Sequence, residues 1–168
     1  DPKNISLPPI TLNLSTFGGD VYSGFGLCDS IRMSETSIKI ICYGKVMSMG
    51  IPVLLSGHYR AAHKNTIFMI HDVSCCSWGK LHELEEYVEQ NKILREKMIE
   101  YICSRTKFPR KKLIDIIDKK QDFYFNAEDA LKWKFIDEII DINTDDAEPK
   151  KVSKKKPNKN IEIEDGNE

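Results

Sequence analysis

The sequence predicts an α/β fold built on a largely parallel sheet. Three observations carry that expectation. Short apolar or β-branched runs recur at residues 10–14, 38–43 and 66–70. Segments with apolar residues at helical spacing cover 21–33 and 80–105. Strands separated by helices of this length indicate βαβ units rather than hairpins.

In chain order, Ile10-Thr11-Leu12-Asn13-Leu14 reads as a short buried strand, and Phe17-Gly18-Gly19-Asp20 as a loop opening the helix 21–33. The strand 38–43 ends at Gly44. Ser48 to Leu55 suits a buried helix, because Pro52 then falls in the first turn, where no backbone donor is missed. Thr66 to Ile70 is the next strand. Lys80 to Arg105 forms a long helix whose apolar stripe runs through Leu81, Leu84, Val88, Leu94, Met98 and Ile102. At 1.5 Å per residue it extends for about 40 Å, more than a small domain is wide, so part of it is expected to pack on something else. Asn126 is placed to cap a helix that continues through Ala130 to Lys134, and 136–140 is the last strand.

The 168 residues suffice for one domain with a real core, assigned to 1–144. Twenty-five Lys and Arg against 26 Asp and Glu leave a net charge of −1, which argues against electrostatic capture of nucleic acid or anionic lipid. Five cysteines (Cys28, Cys42, Cys75, Cys76, Cys103) lie mostly in apolar runs and read as small buried residues in a reducing, cytoplasmic setting. None has zinc-ligand spacing, so neither metal nor cofactor is expected. No apolar stretch is long enough for a membrane span. The chain opens Asp1-Pro2-Lys3, and an N-terminal part is expected upstream. Residues 145–168 combine a lysine run with an acidic end and are expected to be a disordered tail.

Ser48 lies between a β-branched strand and an apolar helix, in a Gly-x-x-x-Ser-x-Gly setting from Gly44 to Gly50. Such a serine is either a nucleophile at a tight turn, where helix N–H groups favour a developing oxyanion, or an ordinary helix cap. His71 ends a strand, where parallel sheets usually build their sites, yet alone it reads equally as a structural histidine. Gly18-Gly19 could bring backbone N–H groups close to a ligand, but the phosphate-loop patterns are absent. Asp122 precedes Phe123-Tyr124-Phe125 and is barely distinguished from Asp115 and Asp118 by context.

Taken in order, five segments bind these weak signals together. Leu14-Ser15-Thr16-Phe17-Gly18-Gly19 with Gly24 resembles the Asn-Ser-Pro-Gly-Gly loop of the proteolytic subunit of Clp protease (ClpP). Gly44 to Gly50 resembles that family's nucleophile turn, where Ser-Met-Gly is typical, and Phe68-Met69-Ile70-His71 its Met-Ile-His strand end. Asp122 ahead of Ala127-Glu128-Asp129-Ala130, and Phe135-Ile136-Asp137-Glu138-Ile139, resemble its closing segments. The resemblance implies a ClpP/crotonase-type fold of stacked ββα units with a protruding handle helix. It implies a Ser48, His71, Asp122 triad with Gly19 and Met49 as oxyanion donors. It also implies a serine endopeptidase acting on unfolded polypeptides in a chamber of two heptameric rings, fed by an AAA+ ATPase of the ClpX or ClpA type. A scaffold-cleaving protease without an ATPase and an inactive ring subunit are the alternatives. The sequence departs from the family pattern at Phe17, Asp72-Val73 and Cys75-Cys76, which bears on ring assembly and ATPase docking more than on the triad.

Overall fold

The chain is organised around β2 (Ile38–Met47), a strand of alternating buried and half-exposed residues whose Ile40, Cys42 and Val46 are fully buried. A computed structural model describes residues 8–74 and 76–141. Cys75 and the charged segment 145–168 lie outside the described residues.

β1 (Ile10–Thr16) runs parallel to β2 along one edge, from Ile10 opposite Ile38 to Thr16 opposite Val46. The other edge is shared. β3 (Tyr59–His63) pairs with Lys39–Cys42, and β4 (Ile67–Ile70) pairs with Lys45–Met47, both parallel. Between Leu14 and Thr16 β1 advances two residues while β2 advances from Cys42 to Val46, so β2 carries a bulge there. Gly44, at φ 68°, sits in it, in a conformation that costs glycine little and other residues much. The bulge lets β2 leave one neighbour and meet the next.

Helix α1 (Val21–Met33) carries the chain from β1 to β2, and α2 (Gly50–Leu55) from β2 to β3. α2 is buried along its whole length, with Pro52 in its first turn. The sheet is parallel except at β5 (Phe123–Phe125), which runs antiparallel to β4. β6 (Glu138–Ile140) closes the far edge beside β3, where Asp137 ion-pairs with Arg60.

α3 (Leu81–Arg105) has 25 residues, one fewer than the expected span from Lys80, and its apolar stripe is not buried throughout. Leu94, Met98, Ile99 and Ile102 enter the core, whereas Leu81 is 74% exposed and Val88 53%. Among the described residues the first half stands largely uncovered. Three elements escaped the sequence reading: β3, α4 (Arg110–Asp118) and the short β5. β3 is Tyr-Arg-Ala-Ala-His, a strand of low β-propensity held by its neighbours. α4 buries Leu113, Ile116 and Ile117. Beyond β5 comes α5 (Ala127–Lys132), capped by the Asn126 side chain, which accepts from Asp129 N–H. Phe108, Phe123, Phe125, Trp133 and Phe135 form one aromatic cluster, with centroids between 4.9 and 6.0 Å apart, that fastens β5 to α4 and α5.

Candidate active site

Register alone brings three strand ends together. Met47 at the end of β2 lies opposite Met69 of β4, so Ser48 emerges beside Ile70 and His71, and its N–H donates to the Met69 carbonyl at 2.9 Å. On the other side of β4 the antiparallel pairs Phe68–Phe125, Met69–Tyr124 and Ile70–Phe123 make His71 and Asp122 the next opposed pair. The side chains follow the backbone. Ser48 Oγ lies 2.8 Å from His71 Nε2 in a hydrogen bond, and His71 Nδ1 lies 3.5 Å from Asp122 Oδ1. The latter is ion-pair distance, longer than a hydrogen bond, and the Asp122 side chain is 55% exposed.

Ser48 has φ 52°, a left-handed conformation rare for serine. Its reading as a plain helix cap does not hold. The cap position of α2 is Met49, and the Ser48 hydroxyl turns to His71 instead. Strain of this kind, of order 1–3 kcal/mol, persists where surrounding contacts over-determine it. Here they are the Ser48–Met69 bond and the loop before α1. A Cβ on Gly18 would come within 2.8 Å of Ser48 Cβ and 2.9 Å of the Met47 carbonyl, so only glycine fits at φ 104°. The Met49 side chain is buried over Gly24 of α1. The N–H groups of Gly19 and Met49 donate to no protein acceptor among the described residues.

His58 Nδ1 accepts from Ile38 N–H, and His82 pairs with Glu86, so these histidines are occupied elsewhere. The sequence reading passed over Arg95. From α3 it ion-pairs with Asp118 at the end of α4 and reaches Asp72, next to His71, at 3.5 Å. It thus brackets the segments bearing His71 and Asp122. The spacing from Arg95 to either aspartate signals nothing in sequence, because the contact is tertiary. Of the cysteines, Cys28 and Cys42 are buried as expected, while Cys76 is exposed in the loop between β4 and α3. Burial pushes the Cys42 thiol pKa up to about 12. Among the described residues no three His, Cys, Asp or Glu side chains are grouped to hold a metal ion.

A small pocket opens at Ser48 and His71, walled by Val21, Ile51, Met98 and Ile102. A larger one of about 440 Å³ adjoins it, sharing Gly19, Val21 and Val73 and continuing to Trp78 and Tyr87.

The family model described as Clp protease matches residues 3–143. The ATP-dependent Clp protease proteolytic subunit of Deinococcus radiodurans is 32% identical over 134 residues, which cover 79% of this chain and 65% of that protein. The chain thus spans about two thirds of that relative's length. Among solved structures, a ClpP1 point mutant from Listeria monocytogenes is similar with a TM-score of 0.69 at 27% identity, over 82% of this chain and 75% of that one. The fold is therefore of the ClpP type, as the order of its motifs led us to expect.

Proposed function

The chain belongs to the Clp protease family, and on that premise we propose that it is a serine endopeptidase with Ser48 as nucleophile, His71 as general base and Asp122 as the residue that orients the imidazole. The observation that carries the proposal is the 2.8 Å contact between Ser48 Oγ and His71 Nε2 at a strained turn.

In this reading the hydroxyl proton passes to Nε2 as Oγ attacks the scissile carbonyl carbon. The tetrahedral oxyanion is met by the free N–H groups of Gly19 and Met49, each worth about 10²–10³ in kcat. His71 then gives the proton to the leaving amine, and a water activated by the same imidazole releases the acyl group. Asp122, facing Nδ1 at 3.5 Å, orients the ring and stabilises the imidazolium. No step requires a cofactor or metal.

The substrates are unfolded polypeptides in a ring-shaped chamber, delivered by an AAA+ ATPase of the ClpX or ClpA type. The exposed apolar half of α3 supports assembly, since monomers rarely leave such a stripe uncovered. A cytoplasmic setting belongs to the same reading, because the ATPase draws on cytosolic ATP. The experiment is labelling with a fluorophosphonate probe alongside cleavage of a fluorogenic peptide. Wild type should react in both assays, and Ser48→Ala in neither, with kcat lower by several powers of ten. Labelling that survives Ser48→Ala refutes the assignment. Stimulation of protein degradation by an added ATPase tests the partner.

A further inference from the structure

The 440 Å³ pocket beside the reactive serine has a composition unlike that of the small pocket at the serine itself. The small one is closed by Val21, Ile51, Met98 and Ile102 and suits an apolar side chain. The large one is lined by the aromatic rings of Tyr22, Trp78 and Tyr87, by the amides of Gln90 and Asn91, and by Asp20. No lysine, arginine or histidine lines it among the described residues, and Asp20 is the one charged group there.

Asp20 caps α1, its Oδ1 accepting from Ser23 N–H at 2.8 Å. That hydrogen bond, first among the N–H groups of the helix start, holds its carboxyl below the ordinary carboxylate range. The carboxylate is fixed by the cap and charged at neutral pH, while its second oxygen accepts no hydrogen bond among the described residues. Asn91 spends its amide N–H on the Tyr87 carbonyl, which leaves an acceptor oxygen.

We infer that this pocket binds a basic side chain of the polypeptide substrate, arginine in preference to lysine, at a position neighbouring the residue whose carbonyl Ser48 attacks. This deepens the peptidase reading above and rests on it. Aromatic faces attract a cation through their quadrupoles, and a planar guanidinium can stack on a ring while its N–H groups reach a carboxylate and an amide oxygen. An acidic side chain would face Asp20 with no countercharge. An apolar one would strip water from three polar residues without replacing its hydrogen bonds.

The test is a set of fluorogenic peptides in which arginine, norleucine and glutamate are scanned through the positions flanking the cleaved bond. At one position kcat/KM for arginine should exceed that for norleucine by about three- to tenfold, the range of one partly solvated ion pair plus a cation–π contact. Glutamate should be poorest there, and the preference should shrink as salt is raised. Asp20→Asn, which caps a helix as well as aspartate does, should lower the arginine-to-norleucine ratio at least threefold. The ratio is taken within each variant, so changes in folding or chemistry cancel. Equal rates for arginine and norleucine at every position, or a preference that Asp20→Asn leaves unchanged, would overturn the pocket assignment while leaving the peptidase reading intact. A wild-type protein that neither cleaves any peptide nor takes the fluorophosphonate probe overturns both.

Discussion

Ser48 and Gly18 are fitted to each other. The serine adopts a backbone conformation that few residues tolerate, and the glycine leaves the space in which that turn sits. Gly18→Ala would drive a methyl group into Ser48 Cβ and the Met47 carbonyl, neither of which can swing away. A displacement near 1 Å at a reacting centre costs about 10² in rate, so probe labelling should slow by that factor or more. Gly26→Ala is the control. Its Cβ meets nothing within 4 Å in the middle of α1, and helix propensity predicts a gain of roughly 0.5–1 kcal/mol with labelling unchanged. Residue chemistry also sets an alkaline limit. The Cys42 thiol has its pKa raised by burial from 9.0 to about 12, so the folded state keeps a proton that the unfolded state loses. The contribution is fully present below pH 9 and is lost as pH climbs toward 12, at up to about 1.4 kcal/mol per pH unit. Denaturant melts from pH 8 to 11 should show the midpoint falling only above pH 9, with Cys42→Ala flattening that slope. At this scale sequence alone said little. Ser48 read as well as a cap, and Asp122 resembled its neighbours Asp115 and Asp118, because only tertiary register decides which carboxylate meets His71.

Elements were legible where one periodicity ruled a long stretch. α1 begins and ends where its apolar spacing places it, and α3 likewise, to within a residue. β3 was not legible, since an Arg-Ala-Ala core has no strand signal apart from the β2 edge it completes. The three-residue β5 was too short to carry a pattern, yet it decides where Asp122 stands. What holds β5 is the aromatic cluster. Phe108, 3% exposed, touches the rings of Phe123, Trp133 and Phe135. Phe108→Ala should cost about 3–5 kcal/mol by the cavity it leaves, lowering Tm by roughly 10 °C. Because β5 is loosened more than β2, kcat should also fall at temperatures where the protein remains folded. A thermal melt read beside peptide turnover at 20 °C checks both.

For the whole molecule, the overhang of α3 is the feature that a single copy leaves unexplained. Leu81, Val88 and Ile93 stand exposed along half of a 25-residue helix, while Leu94, Met98 and Ile102 anchor the other half. The length was readable from sequence; which half would be covered was not, since burial depends on where the domain ends. Replacing Val88 and Ile93 together by lysine removes apolar area worth about 2–4 kcal/mol per contact face. Native mass spectrometry should show wild type as a multiple of the 19.3 kDa chain and the double variant shifted to smaller species with an unchanged circular dichroism spectrum. A wild type of 19.3 kDa would argue against a chamber.

β2 gives the molecule one further property. A single ten-residue stretch is the common seam for β1, β3 and β4 and also hands the chain directly to Ser48. A break in this strand therefore takes away scaffold and site in one event, because three neighbouring strands and the turn that carries Ser48 all depend on it.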